Sequence, residues 1–441
     1  MCHKGNGNKE MIGLYMKQAW ALIKQERLFS TVYIVGTGLA ISLVMVLSIV
    51  LYVKFAPLYP DMNRGRELVW KYGVYKQKEG NGISSSSLAY PLLERAYEGI
   101  EEVEAVAIYN SFDHEDFVQP ADRPTQLPVT VQKTNAGYWR VYAFRFLAGK
   151  PFGEEAFQSG LPVAVITERL ARQLFGAEPA MGQEVKLHFK AYRVVGVVET
   201  ASPFMGNCYA DIYVPFTVDP EWNRVWNQSG LGPYASVALV KEGASTEAVR
   251  RKIAERIAQF NRELQPEGSF DALGAPDPFW VSSFRKYSNQ APEVGPELMR
   301  YGLIFLLLLL IPAVSLSGMA DSRMNRRMAE LGVRRAFGAP RTTLFSQILT
   351  ENLLYTLLGG ALGLLVSFGL VQLVRSWIFF SSPMDMTTTE VSAMALPTGS
   401  LLNPWVFLIA LAVCFVLNLL SAMIPAWRAA RRPIVESLNL K

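Results

Sequence analysis

The feature that most limits how this chain can fold is a set of long apolar runs without a single charged side chain. There are four of them, at residues 28–53, 301–320, 352–374 and 402–427. At about 1.5 Å of rise per residue, each is long enough as a helix to cross a hydrocarbon core of about 30 Å. The first is too long for the apolar part of a signal peptide, and no small-residue cleavage site is evident. We therefore predict an α-helical membrane protein with four transmembrane helices.

The distribution of lysine and arginine predicts the orientation of these helices. Basic residues concentrate in residues 1–27, 321–341 and 428–441, whereas residues 375–401 contain only one. With four spans the three basic segments lie on the same side, which the positive-inside rule assigns to the cytoplasm. Both termini are then cytoplasmic, and residues 54–300 lie outside.

The segment between the first two spans has the composition of a large soluble domain. Residues 54–300 carry 27 basic and 30 acidic side chains, although the whole chain has a net charge of +5. The positive charge therefore reflects membrane topology, and we expect no nucleic-acid partner.

The pattern inside this domain predicts a mixed α/β fold. Runs rich in β-branched and aromatic residues predict strands at 68–75, 103–109, 128–131, 163–166, 192–198, 212–215 and 236–240. Helical patterns cover 87–97, 168–175 and 246–264. Ser245 or Thr246 is placed to cap the last of these helices. We predict an α/β subdomain formed by residues 54–148 and 221–300, with a β-rich subdomain inserted at 149–220.

Shorter segments complete the predicted domain order. Residues 1–27 form an interfacial amphipathic helix or a plain basic segment beside the membrane. Residues 321–351 form a cytoplasmic loop, 375–401 an outer loop and 428–441 a cytoplasmic tail.

Residues 324–341, with the sequence MNRRMAELGVRRAFGAPR, stand out among these segments. Apolar residues recur on one helical face at Ala329, Val333, Ala336 and Phe337. Glu330 lies four residues before Arg334, the favourable order for an ion pair. Gly338, with a proline two residues later, predicts the end of the helix, and a second helix starts near Thr342. On pattern alone, an ordinary basic cytoplasmic loop is the alternative.

Three stretches resemble the permease subunits of ABC transporters in the MacB/FtsX family. Residues 328–341 are similar to that family's cytoplasmic loop, which has the pattern E-[IL]-G-[VI]-[RK]-[RK]-A-x-G-A. Residues 424–438, IPAWRAARRPIVESL, are similar to its C-terminal tail. The third stretch resembles the extracytoplasmic core domain at residues 147–152, 162–166, 174–176, 182 and 194–198.

The resemblance implies one span, a large outer domain and three further spans, in the bacterial inner membrane and usually as a dimer with an identical or similar permease. It also implies that the cytoplasmic loop docks on a separate ABC ATPase subunit, which binds the ATP. The residues that match the loop motif are Glu330, Gly332, Arg334, Arg335, Gly338 and Ala339, and with Arg327 they form the predicted ATPase-coupling interface. Phe337 departs from the smaller aliphatic residue usual there. Membrane lipid is a further implied partner, and a periplasmic adaptor and an outer-membrane channel are compatible with the family.

The residues themselves give little sign of catalysis. The chain has no G-x-x-x-x-G-K-[ST] phosphate loop, so we predict a permease subunit without its own nucleotide-binding domain, cofactor or catalytic residues. The acidic residues 113–116 favour a solvated loop over a metal site, and Cys208 is interpreted as a small buried side chain. Glu351 is the charge nearest to a span interior, and we expect it at the membrane interface.

Two functions from different classes follow. The first is mechanical transmission, in which a cytoplasmic ATPase moves the outer domain for efflux of antibiotics, peptides or lipid-linked molecules. The second is an FtsX-like transmembrane regulator or sensor that signals to a periplasmic partner without transporting a substrate. An enzyme would need a clustered ionisable site in the outer domain, which the sequence does not show.

Overall fold

The structure is a computed structural model that describes most of the chain between residues 17 and 416. The continuous described ranges are 27–78, 82–112, 115–121, 126–202, 205–226, 229–264, 267–307 and 341–379, with isolated residues at 17–25, 310–340 and 405–416. They fall into two compact units. By their described residues, we call them the span unit, up to Tyr52 and from Leu298 to Phe379 and again from residue 405, and the outer domain, Val53–Glu297.

Two described helices are long and apolar enough to cross a membrane. Helix α1 covers Arg27–Phe55, and a later helix covers Arg341–Phe379. Their apolar parts are Ser30–Phe55 and Thr350–Leu370, in agreement with the first and third predicted spans. The second and fourth predicted spans lie largely outside the described residues.

The outer domain alternates short strands and helices. The strands are β1 (Glu67–Trp70), β2 (Gly73–Gln77), β3 (Ile83–Ser86), β4 (Val103–Asn110), β5 (Glu115–Pro120), β6 (Leu127–Thr134), β7 (Phe146–Gly149), β8 (Val163–Thr167), β9 (Glu184–Leu187), β10 (Lys190–Val198), β11 (Ile212–Pro215), β12 (Tyr234–Val240), β13 (Gly268–Asp271) and β14 (Asp277–Pro278). The helices are α2 (Tyr90–Tyr97), α3 (Tyr138–Val141), α4 (Glu154–Gln158), α5 (Glu168–Phe175), α6 (Thr246–Leu264) and α7 (Phe279–Ser282), and we number the helix from Arg341 as α8. Each strand and helix predicted in this domain has a counterpart in this series, except that the single strand predicted at 68–75 is divided into β1 and β2, which belong to different sheets.

Eleven of the described strands form one mixed sheet. Its order is β11-β8-β10-β9-β5-β6-β4-β12-β1-β14, with β7 beside β10. Strand β6 also pairs with β11 in parallel, so six strands close on themselves in a circuit. Strands β13, β2 and β3 form a separate small sheet.

Among its described residues, the outer domain has two hydrophobic cores that stabilise it. The first lies under α2 and α6 and includes Trp70, Leu93, Tyr234, Ile253 and Phe270. Helix α6 faces it with Val249, Ile253 and Ile257, one residue per helical turn, and the Ser245 hydroxyl accepts a hydrogen bond from the Ala248 N–H at 3.3 Å. The second core lies within the closed circuit and includes Val118, Ile166, Leu170, Val194 and Ile212.

The division between these cores does not coincide with the subdomain boundary predicted at residue 149. Strands β5 and β6 precede that residue, yet Val118, Val129 and Val131 belong to the second core. The glycine-rich composition after residue 149 suggested the boundary, but the pairing of β6 with β11 and of β5 with β9 decides where these strands pack.

Candidate functional site

The predicted ATPase-coupling interface lies almost entirely outside the described residues. This applies to Arg327, Glu330, Gly332, Arg334, Arg335 and Ala339. Gly338 is described, together with Val333, Phe337 and Pro340. The structure therefore tests how this segment ends and leaves its charged face as a prediction.

The end of the loop has the geometry of a helix stop. The Phe337 N–H donates to the Val333 carbonyl at 3.1 Å, which is one helical turn. Gly338 has a φ of +89°, a conformation that glycine adopts without a Cβ clash, and α8 begins at Arg341. The predicted helix stop at Gly338 and the new helix near Thr342 are thus confirmed. Phe337 is 88% exposed beside this stop.

At the C-terminal end of α1, an arginine of the outer domain caps the helix. Nη1 of Arg64 donates to the carbonyl oxygens of Val53 at 3.1 Å and Ala56 at 2.7 Å. The last carbonyls of a helix have no partner within the helix and carry partial negative charge. A cation there stabilises the helix end both by donating hydrogen bonds and by its charge. We call Arg64 and its contacts the joint.

The charge of Arg64 is balanced inside the joint. Its Nε donates to Oδ2 of Asp61 at 2.9 Å, with side chains 6% and 3% exposed. The guanidinium also lies 4.4 Å from the centre of the Phe279 ring. A buried pair with this many contacts is costly to break on one side, because the remaining charge would stay in a water-poor site.

A second carboxyl group is buried beside this pair. Glu67, at the start of β1, is 2% exposed, and the Asp61 carboxyl is close enough to affect its titration. Burial, followed by the charge of Asp61, raises the pKa of Glu67 from 4.5 to about 10.

Aromatic and ionic contacts hold the last turn of α1 and the final segment of the outer domain. The rings of Phe55 and Phe284 lie 5.7 Å apart, and Lys54 Nζ is 5.0 Å from the centre of the Phe284 ring. Next to Phe284, Arg285 Nε donates to Oδ2 of Asp277 at 2.9 Å in a buried pair. Burial raises the pKa of Asp277, and Arg285 opposes that shift.

In the span unit, α1 and α8 approach each other through glycine. A Cβ added at Gly363 would lie 2.7 Å from the Gly38 carbonyl oxygen, and one at Gly359 would lie 2.8 Å from Cβ of Thr37. Gly359 and Gly363, four residues apart in the third predicted span, thus make contact with the first helix of the same chain. Nearby, Glu351 is 1% exposed because it packs against protein, and its position at the membrane interface stays a prediction.

The remaining candidates for chemistry are separate from one another. Burial raises the pKa of the Cys208 thiol well above its ordinary value, in line with a small buried side chain. Asp116, from the acidic stretch, contacts His188 at 3.0 Å, and the two residues before Glu115 lie outside the described part. Within the described ranges, no three His, Cys, Asp or Glu side chains lie close enough together to hold a metal ion.

Sequence reasoning missed the joint. Asp61, Arg64 and Glu67 were read only as charges in a soluble domain. The sequence pattern that could have indicated the joint is a charged residue at every third position, shortly after the first span. The same segment also contains Arg66. The burial that gives them importance comes from Met205, Phe279 and other distant parts of the chain.

Comparison with known proteins matches both halves of the chain to described families. Residues 34–256 match the MacB-like periplasmic core domain, and residues 302–434 match the FtsX-like permease C-terminal domain. The ABC transporter permease YknZ of Bacillus subtilis is 22% identical over 287 residues, covering 64% of this chain and 67% of that protein. The macrolide export ATP-binding/permease protein MacB of Burkholderia pseudomallei is 25% identical over 236 residues, covering 53% of this chain.

The match takes in only 34% of that MacB protein's own length. The solved extracellular domain of YknZ from Gram-positive bacteria has 16% identity and a TM-score of 0.34, over 46% of this chain and 98% of that domain. The core-domain family covers half of this chain, and the permease domain follows it in the expected order. The chain therefore belongs to the MacB/FtsX family of ABC transporter permeases.

Proposed function

We propose that this chain is the permease subunit that couples ATP hydrolysis by a separate cytoplasmic ATPase to movement of its outer domain. The observation that carries the proposal is the joint. Helix α1 runs without interruption from Arg27 to Phe55, and the outer domain's Arg64 binds the carbonyls at its end. Movement of the helix along its axis or about it would then pull directly on the outer domain.

The coupling loop would supply the input to this movement. Residues 327–339 present the charged motif Arg327, Glu330, Gly332, Arg334, Arg335, Gly338 and Ala339, and a short helix of this kind suits a groove on a partner protein. The described stop at Gly338 supports the helix, because it ends the turn just before α8 begins at Arg341. ATP would bind to the partner subunit.

Efflux is the activity we favour. The substrates we propose are antibiotics, peptides or lipid-linked molecules, and the names of several relatives, given for macrolide export, support the first of these classes. A dimer with an identical or similar permease, a periplasmic adaptor and an outer-membrane channel would complete the assembly, with both termini of this chain in the cytoplasm. The alternative is an FtsX-like regulator, in which the same transmission switches a periplasmic partner and no substrate moves.

The test is ATP turnover by the candidate ATPase, reconstituted in lipid with this chain. The variant Glu330→Lys/Arg334→Glu reverses the pair on the predicted helix. We expect the wild-type chain to bind the ATPase and alter its turnover, and the variant to do neither.

A matched control reverses an exposed pair of the same kind in the outer domain. Glu221→Lys/Arg224→Glu exchanges charges that are 2.9 Å apart and more than half exposed, so it should behave as wild type. Equal loss in both variants, or no ATPase bound to the wild-type chain, would contradict the proposal. Stimulation of turnover by a macrolide would favour efflux over the regulator.

A further inference from the structure

Two buried carboxyl groups in the joint share one cation. Asp61 and Glu67 are each 2% exposed, and the Asp61 carboxyl contributes to the raised pKa of Glu67. Two ionised carboxylates close together in a water-poor site repel each other strongly, which favours a proton on one of them.

Only one of the two carboxyl groups is seen to pair with the cation among the described contacts. Asp61 Oδ2 accepts from Arg64 Nε at 2.9 Å. Oδ1 of Asp61 and Oε1 of Glu67 are both buried and lack a hydrogen-bond donor among the described residues. A proton on Glu67 supplies that donor, because a neutral carboxylic acid can donate where a carboxylate cannot.

The other groups facing Glu67 do not replace this proton. The titratable or charged neighbours are Asp61, Arg64, Arg66, Tyr109, Tyr142 and Cys208. Burial raises the pKa of both tyrosines and of the cysteine, so these three are neutral. Arg66 is turned to Glu104 and to the Val240 carbonyl, with a side chain 28% exposed.

We propose that a proton resident on Glu67 is a structural part of the joint, which makes Glu67 a positioning residue. The acid holds Asp61, Asp61 holds the guanidinium of Arg64, and Arg64 holds the carbonyls at the end of α1. Loss of this proton would leave two negative charges against one cation and would loosen the grip on the helix. The role of this grip in transmission rests on the proposed function, whereas the presence of the proton does not.

The direct test is infrared spectroscopy of the full chain in lipid at neutral pH, in heavy water. A buried neutral carboxylic acid has a carbonyl band separate from those of carboxylates and amides. We expect this band in the wild-type chain, its loss in Glu67→Gln, and its retention in the control Glu242→Gln, whose side chain is 87% exposed. Identical spectra for wild type and Glu67→Gln in this region would overturn the proposal.

A second measurement separates positioning from simple space filling. Glutamine can donate to Asp61 as the neutral acid does, whereas alanine cannot. We expect Glu67→Gln to keep the wild-type effect on ATPase turnover above pH 8, and Glu67→Ala to weaken that effect and lower the melting temperature. Equal loss in both variants would contradict a donor role. Because the infrared band requires no ATPase, failure of the proposed function would leave this test intact.

Discussion

The joint and the α1–α8 contact hold the same first helix by opposite means. In the joint, a buried cation, an ionised acid and a neutral acid surround the helix end, and direction and charge determine the contact. In the span unit, Gly38 and Gly363 bring two backbones together, and the side chains nearest to these two glycines are the apolar Leu362 and Ile41. The hydrogen bonds of the joint resist displacement of the helix end in a defined direction, whereas the contact between α1 and α8 depends on the short distance between their backbones. The comparison shows that one helix can be fixed by ionic and hydrogen-bond contacts at its end and by close backbone packing at glycine in its middle.

Removing the cation of the joint should have the largest effect. Arg64→Met keeps the length of the side chain but leaves Asp61 charged and buried, and the helix carbonyls without their donor. We expect a loss of about 3–5 kcal/mol in the unfolding free energy of the outer domain, measured by denaturant unfolding of the full chain. Arg224→Met, at an exposed pair, should cost less than about 1 kcal/mol. Similar losses in the two variants would remove the distinction between joint and surface.

The pH dependence of stability sharpens the account of the joint. The pKa of Glu67 is raised in the folded state from 4.5 to about 10, so folding takes up a proton between these values. The associated stability is fully present below pH 4.5 and declines as pH rises toward 10, with a slope of up to about 1.4 kcal/mol per pH unit. Glu67→Gln should remove this slope in unfolding curves measured from pH 5 to 9. An unchanged slope would show that Glu67 does not carry the proton.

Breaking the glycine contact tests the other half of the comparison. Gly363→Val places side-chain atoms against the Gly38 carbonyl and Ile41, and we expect a loss of about 1–3 kcal/mol from overpacking. The readout is thermal unfolding in lipid nanodiscs. Gly369→Val is the control on the same helix, because nothing lies within 4 Å of a Cβ added there. A Gly363→Val variant as stable as the control would mean that the helices do not approach at this point.

The smallest effect should come from the polar contact between the same helices. The hydroxyls of Ser30 and Tyr355 lie 3.0 Å apart. Tyr355→Phe should cost only about 0.6 kcal/mol, the usual size for a hydrogen bond between membrane helices. The same unfolding assay checks this value. A loss as large as that of Arg64→Met would contradict the view that closeness, and not polarity, holds α1 to α8.

The elements were more predictable from the sequence than their assembly. The absence of charge in residues 28–53 was enough to predict α1, and periodicity predicted α6 at the residues where the structure has it. The glycine spacing of Gly359 and Gly363 was visible, but its partner Gly38 lies more than 300 residues away. Arg64 escaped notice for the same reason, since its importance comes from burial by distant residues. Local secondary-structure propensity depends on neighbouring residues in the sequence. The pKa of Glu67 depends instead on residues that are distant in the sequence and pack around it in the fold.

The central claim is that movement of α1 reaches the outer domain through the joint. It can be tested by spin labels on cysteines at Leu28 and Glu242, which are 76% exposed as a residue and 87% exposed as a side chain, with the native cysteines replaced. The distance between the labels is measured in the full complex with its ATPase, with ATP bound and without nucleotide. Because the joint makes α1 and the outer domain move together, the account predicts the same distance in both states for the wild-type chain and for Arg224→Met, and a distance that changes between the states in Arg64→Met. A distance that changes in the wild-type complex, or one that stays constant in an Arg64→Met complex that hydrolyses ATP, would contradict it.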